Sequence, residues 1–261
     1  TAGVTLSYNN AHVVGANKIT ATGTAALGIT STGSNSVATD YSFTAPTIAD
    51  VTASITPKAL TAAASIGGIL TKTYDGTTAA TGATVTGSVT GGISGDTLTL
   101  NTSAVTLAYN NAHVASANAI VASGTSTLSI SSPTATSVAS DYSFTAPTIL
   151  DAAASITPKA LTSTATIGGT LTKVYDGTTT ATGATVSGSV TGGLAADTLS
   201  LNTSGISLAY NNAHVVGANA VVASGAGSLV IGASSVNSVA SDYCFTAPTI
   251  ASAAATITAK A

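Results

Sequence analysis

Val105-Thr-Leu-Ala-Tyr109, followed by Asn110-Asn111, is the stretch on which the fold turns. Val105, Leu107 and Tyr109 alternate with Thr106 and Ala108, the period of a strand that lays one face on a core. Asn-Asn then supplies the side chains that favour a turn. The same pattern continues on both sides. Ile120, Ala122 and Gly124 share a parity, and Leu128 and Ile130 follow. Tyr142, Phe144 and Ala146 alternate up to Pro147, and Ala154 and Ile156 lead to Pro158. Leu161, Ala165 and Ile167 open another strand, Asp176-Gly177 marks a turn, and Val186, Val190, Leu199 and Leu201 lie on further strands. No stretch sustains a 3.6-residue period, and the β-branched content disfavours helix. The pattern predicts an all-β chain, with about seven to nine short strands in each antiparallel β-sandwich, Ig-like in the broad sense.

The stretch also recurs. Tyr8, Tyr109 and Tyr210 are 101 residues apart, as are Asp40-Tyr41, Asp141-Tyr142 and Asp242-Tyr243. Laid over each other without a gap, 58–158 and 159–259 agree at 69 of 101 positions. Solenoid repeats run about 20–50 residues, whereas a unit of this length falls in the usual range of a domain. The expected organisation is the C-terminal part of a first repeat at 1–57 and complete repeats at 58–158 and 159–261. Residue 1 aligns with 102 and 203, in mid-repeat, so the chain is expected to be a window on a longer protein. Ser54-Ile-Thr-Pro-Lys-Ala-Leu-Thr61 and Ser155-Ile-Thr-Pro-Lys-Ala-Leu-Thr162 join the copies without a Gly/Ser linker. Pro57 and Pro158 fix φ and favour extended neighbours, which predicts a stiff, elongated rod. The tyrosines at 109, 142, 175, 210 and 243, with Phe144 and Phe245, are expected in the cores.

Composition excludes several functions. Charged residues are 6% of the chain, the net charge is −3, and Arg, Glu, Gln, Met and Trp are absent. Electrostatic capture of nucleic acid or of an anionic membrane surface has no basis here. No uninterrupted apolar run of about 18 residues predicts a membrane-spanning helix. With 44% hydrophobic residues in strand-like patterns, the chain is expected to fold rather than stay disordered.

The candidates for chemistry are few. His12, His113 and His214 occupy one phase of the repeat with no second His or Cys beside them, whereas zinc needs three or four ligands. They read as structural histidines near a turn. Asp75, Asp96, Asp141 and Asp151 are too scattered for the clustered oxygens that calcium wants. Cys244 replaces Ser42 and Ser143 of the other copies and reads as a small residue on a strand. Asn101-Thr-Ser and Asn202-Thr-Ser match the glycosylation pattern, as chance allows in a chain this rich in Ser and Thr. Lys58, Lys72, Lys159 and Lys173 are the lysines that an internal Lys–Asn cross-link would use, given a buried carboxylate alongside. Tyr74-Asp-Gly-Thr-Thr78 and its copy Tyr175-Asp-Gly-Thr-Thr179 form the sharpest motif, and read as a turn whose tyrosine packs on the core. No catalytic, cofactor-binding or metal residues are assigned, and no enzyme activity is expected.

The blocks Ile156-Thr-Pro-Lys-Ala-Leu-Thr162, Lys173-Val-Tyr-Asp-Gly-Thr-Thr179, Gly95-Asp-Thr-Leu-Thr-Leu100 and Asp141-Tyr-Ser-Phe-Thr145 resemble the YDG domains of large bacterial surface proteins. Such domains occur in tandem in filamentous-haemagglutinin-like adhesins. This chain departs from them in its low charge and at Tyr109-Asn-Asn-Ala-His-Val114, where the family often has a charged segment. The resemblance implies an extracellular or cell-surface stalk or fibre, and brings no catalytic residues. A surface made mostly of small residues with little net charge adds an expectation of lateral or end-to-end self-association. The alternative is an adhesive module that binds a glycan or a host protein.

Overall fold

A computed structural model of the chain describes residues 3–132, 134, 137–233 and 239–261. Among these residues the protein is all-β, with helical geometry confined to three-residue 3₁₀ turns. The repeat at 159–261 shows the plan. Its long strand Lys159–Gly169 pairs antiparallel with Ala184–Thr191, from Thr162↔Thr191 to Gly169↔Ala184. Leu199–Asn202 pairs antiparallel with Val230–Ala233, and Ser207–Tyr210 with Ala220–Ser224, which also takes Ala253–Ala254 on its other side. The predicted strand Val105–Tyr109 is the strand Thr106–Tyr109, and its third-copy equivalent is Ser207–Tyr210.

Not all pairing is antiparallel. Lys159–Leu161 runs parallel to Tyr243–Phe245, and Thr172–Val174 runs parallel to Thr256–Thr258. The preceding copy repeats both ladders, Lys58–Leu60 beside Tyr142–Phe144 and Thr71–Thr73 beside Ser155–Thr157. Residue alternation is the same in parallel and antiparallel strands, so the pattern that reveals a strand does not reveal its direction.

The repeat at 159–261 buries two small clusters. In 159–261 one gathers Ala165, Leu201 and Leu229 with Val186, Ile206 and Phe245 against it. The other gathers Tyr210, Val221, Ala255 and Ile257 with Leu171 and Tyr175 against it. Leu100, Leu128 and Ile149 form the counterpart of the first cluster in 58–158. The clusters are packed tightly enough to dictate small residues. A Cβ on Gly188 would lie 2.6 Å from Leu201 Cδ2, and one on Gly87 would lie 2.7 Å from Leu100 Cδ2.

The chain divides into two compact units. The first comprises Thr1–Ile66, Val85–Thr106 and Ala122–Leu150; the second comprises Gly67–Thr84, Leu107–Val121 and Asp151–Ala261. Each unit therefore draws on successive copies of the repeat.

Tyr109, Tyr142, Tyr210 and Tyr243 are buried, and so is Tyr74. Tyr175, Phe144 and Phe245 are only half-buried, against expectation. The two phenylalanines lie on short edge strands and cover their clusters from one side. In the first copy Tyr41 is 65% exposed, whereas Tyr142 is 8% and Tyr243 7% exposed. The later tyrosines are covered by segments such as 93–97, and 1–57 contains no copy of that segment.

Candidate functional site

Two constructions recur with the repeat, and they use most of the charged residues in the chain. The first is the Tyr-Asp-Gly turn. Strand Thr71–Thr73 carries Lys72 into the turn. Gly76 has φ +76°, a left-handed conformation that glycine adopts without strain. The Asp75 carboxylate accepts from the Thr77 backbone N–H at 2.9 Å, from the Thr77 hydroxyl at 2.9 Å and from Lys72 Nζ at 2.7 Å. Lys72 Nζ also donates to the carbonyls of Thr77 at 2.7 Å and Ala79 at 3.1 Å. It lies 5.2 Å from the centre of the Tyr109 ring, a cation–π distance.

The copy at Lys173 repeats each contact, with Asp176 at 2.7 Å, Thr178 O at 2.7 Å, Thr180 O at 3.2 Å and the Tyr210 ring at 5.4 Å. Burial works to raise the Asp75 carboxyl, but hydrogen bonds from Lys72 and Thr77 outweigh it and hold the group below its ordinary range. Asp176 is held down to about 2, first by the Lys173 hydrogen bond and then by the Thr178 amide. An ammonium has three protons to give, and here an aspartate and two carbonyls take them.

The motif is thus a turn, as expected, but its organiser is the lysine two residues upstream. Lys72 and Lys173 are engaged in this way with Asp and backbone partners and with no asparagine. Lys58 is exposed and Lys159 half-buried at the starts of their long strands.

The second construction is a joint between successive copies. Asn110 closes a loop by accepting from the N–H groups of Asn118 at 3.1 Å and Ala119 at 3.2 Å. Asn111 then accepts from the His113 N–H at 2.8 Å, and the loop presents the imidazole outward. Asp242, at the same phase of the next copy as Asp141, reaches it. Its Oδ2 lies 2.5 Å from His113 Nδ1, and its Oδ1 accepts from the Val114 N–H at 2.7 Å. When the carboxylate is ionised it only accepts, and His113 Nδ1 is then the donor.

Asp242 has no exposed surface. Tyr74 lies over this pair, its ring 6.3 Å from and nearly parallel to the His113 ring, and meets the edge of Tyr243 at 5.4 Å. Tyr243 is fixed in turn by a hydroxyl bond to Asp197 and by the Leu194 N–H at 3.1 Å. Burial, with Asp197 and Asp242 close by, pushes the Tyr74 hydroxyl up to about 12. Burial and the bond to Asp197 push Tyr243 up to about 12. A cleft of about 490 Å³ remains beside the joint, lined by Tyr74, Gly76, Ala112, His113, Leu194 and Asp197 among others.

The first unit contains the same joint one copy earlier. His12 Nδ1 lies 2.6 Å from Asp141 Oδ2, the Val13 N–H donates to Asp141 Oδ1 at 2.7 Å, and Asn10 accepts from the His12 N–H at 2.8 Å. Tyr142 is bonded to Asp96 and takes the Ile93 N–H at 3.1 Å. Burial acts to raise Asp141, yet the hydrogen bond and charge of His12 and the Val13 N–H hold it below its ordinary value.

Sequence reading placed the histidines near a turn, and there they are. It missed their partner, which lies 129 residues away in the next copy. The one available signal is that Asn-Asn-Ala-His-Val and Asp-Tyr persist in all three copies.

The remaining candidates are quickly placed. Asp96 is used by Tyr142 and Ser137, and Asp75 by Lys72. Among the described residues no three His, Cys, Asp or Glu side chains gather in one place. Cys244 is exposed on the strand Tyr243–Phe245. Asn101 and Asn202 accept from the N–H groups of Ser103 and Ser204 in tight turns.

An all-β chain whose copies are closed by identical turns and joined by identical latches defines a tandem structural repeat. The chain belongs to the YDG domain family, which it matches twice, over residues 56–149 and 157–257. No curated protein and no solved structure matches it.

Proposed function

We propose that the chain is a structural section of a bacterial extracellular fibre or adhesin stalk, supplying length and stiffness, and that it associates with itself. The observation that carries this reading is the joint, built twice with the same atoms, at 2.6 and 2.5 Å for the His–Asp contact and 2.7 Å for the Val N–H in both. A joint that orients one copy on the next suits a rigid spacer, whereas a string of independent binding modules gains nothing from a fixed angle. The large aromatics of the repeat are largely spent on cores and joints, which leaves little of the exposed aromatic and arginine surface that binding sites use. No residue is given a catalytic role, and the setting is a cell surface or a secreted polymer.

Small-angle scattering of the 261-residue chain tests the reading. An elongated particle with one narrow set of distances between copies is expected. A broad distribution, as from free hinges at Pro57 and Pro158, overturns it.

A further inference from the structure

Among the described residues, the longest strands at a sheet edge are Ala83–Thr90 and Ala184–Thr191, of eight residues each. Each is laddered on one side only, to Lys58–Gly68 and to Lys159–Gly169 respectively. The Thr170 N–H donates to Gly183 O at 2.7 Å and sets the phase of the second ladder. Hydrogen-bonded pairs come at every second residue of an antiparallel ladder. Thr185, Ser187, Ser189 and Thr191 therefore turn their backbone groups towards Lys159–Gly169, and Val186, Gly188 and Val190 turn theirs away. Among the described residues only the Thr203 hydroxyl reaches that outer side, at 3.5 Å from the Val186 carbonyl. The Ile69 N–H bond to Gly82 O sets the same phase one copy earlier, where Val85, Gly87 and Val89 turn outward. The edge is open in 58–158, which a complete repeat follows, as it is in 159–261, so it belongs to the repeat itself.

Sheet edges are usually blunted by charge, proline or a bulge. This one carries no charged residue and no proline, and its eight pairs with the neighbouring strand run in unbroken register. Its sequence is also symmetric. Thr185-Val-Ser-Gly-Ser-Val-Thr191 reads the same in both directions about Gly188, and Thr84-Val-Thr-Gly-Ser-Val-Thr90 departs from that symmetry only between Thr86 and Ser88. Two such strands laid antiparallel about a two-fold axis at Gly188 set every residue opposite its own kind. Val186 meets Val190, Ser187 meets Ser189, and Thr185 meets Thr191. Outward-turned residues then face outward-turned residues, so Val186 with Val190 and Gly188 with Gly188 each exchange both N–H···O bonds.

We propose that the edge Ala184–Thr191, with its copy Ala83–Thr90, is a docking surface for the same edge of a second copy of the chain, joining two three-stranded sheets into one. The contact is isologous, the same patch on both partners. The half-buried Val186 and Val190 gain cover from each other across the axis, and the exposed Gly188 lets the backbones meet there without a side chain between them. The outward hydroxyl side chains are short and lose little freedom on ordering. The inference rests on the self-association in the reading above and names its surface.

Amide hydrogen exchange of the full 261-residue chain, with analytical ultracentrifugation of the same samples, tests it from tens to hundreds of micromolar. As the mass grows to the dimer or beyond, the amides of Val186, Gly188 and Val190 are expected to slow, together with those of Val85, Gly87 and Val89. A variant carrying Thr86→Lys, Ser88→Lys, Ser187→Lys and Ser189→Lys sets like charges opposite one another across the axis and is expected to associate at least about tenfold more weakly. The variant with Glu at the same four positions is expected to behave alike, and an equimolar mixture of the two to recover association. These side chains are exposed and give up only exposed hydroxyl contacts to the neighbouring strand, so circular dichroism is expected to match wild type. The exchange measurement on wild type decides the matter even where a variant fails to fold. A wild type that stays monomeric overturns the edge and self-association together. Growth in mass without slowing at Val186, Gly188 and Val190 overturns the edge and leaves association to another surface, as does a Lys variant that associates like wild type. A mixture of folded Lys and Glu variants that stays monomeric overturns the edge as well. The scattering measurement judges the stalk reading independently of all of these.

Discussion

Asp242 is the most constrained charged residue in the chain: fully buried, acceptor to His113 and to the Val114 N–H, and overlaid by Tyr74. Removing it strands two donors in a covered site. Asp242→Ala is expected to lower stability by about 2–4 kcal/mol in urea denaturation. The Asp141→Ala change costs less, because the Asp141 side chain keeps 18% of its surface in water. Acid weakens the chain through the same type of group. Asp75, Asp141 and Asp176 all titrate below their ordinary value of 3.8 in the folded state, Asp176 at about 2. A depressed folded pKa gives stability that is present above the unfolded value and is lost as pH falls through the folded one. Thermal melts are therefore expected to hold down to about pH 4 and to drop between about pH 4 and pH 2, and Asp176→Asn to flatten that drop. At the other end Tyr74 and Tyr243 titrate at about 12 against an ordinary 10.0. Their contribution is complete below pH 10 and lost as pH rises towards 12, which absorbance of tyrosinate at high pH follows directly. The charged residues were visible as letters, but their pairing was not. A histidine and an aspartate 129 positions apart carry no local mark of contact, and they fall in different repeats.

At the scale of the element, the turns and strands were legible and their partners were not. Alternation around Val105–Tyr109 and the Asn-Asn and Asp-Gly turns point to the right segments, because a strand with one covered face repeats every second residue. Parallel pairing of Lys159–Leu161 with Tyr243–Phe245 depends on the path of the whole chain, and local periodicity is blind to it. The lysine that organises each Tyr-Asp-Gly turn was also hidden, since its role is set by three acceptors that meet only once the turn is made. Replacing it tests that role. Lys72→Met keeps the stem over Tyr109 but leaves the Thr77 and Ala79 carbonyls without their donor, at an expected loss of about 1–2 kcal/mol by thermal denaturation. Strand packing has its own test in Gly188. The Gly188→Ala methyl must push Leu201 aside, and a loss of about 1–3 kcal/mol is expected in the same assay. The equivalent Gly87→Ala, against Leu100, is expected to behave alike.

At the scale of the whole molecule, the division into units shows how far one copy depends on the next. The second unit holds all of 159–261 together with 67–84, 107–121 and 151–158 of the preceding copy. Local stability should follow that division. Asp242→Ala is expected to speed amide hydrogen exchange at 74–77 and 113–117 in the preceding copy, and to leave 85–106 protected. The repeat length and its phase were plain from the sequence, but the sharing of a compact unit between copies was not, because the Asp–His latch that contributes to it is formed only in three dimensions. The parallel ladders carry a further consequence. In 159–261 the chain enters along Lys159–Gly169, continues into Thr172–Val174, and leaves along Thr256–Thr258, which lies parallel to Thr172–Val174 in register from Thr172↔Thr256 to Val174↔Thr258. A pull on the two ends of the repeat drags these neighbouring strands in opposite directions along their own axes. The hydrogen bonds between them are then loaded together, in shear, instead of opening one after another like a zip. A short ladder in that geometry resists tension far better than its length suggests, so a pull along the chain would meet mechanical resistance at both complete repeats.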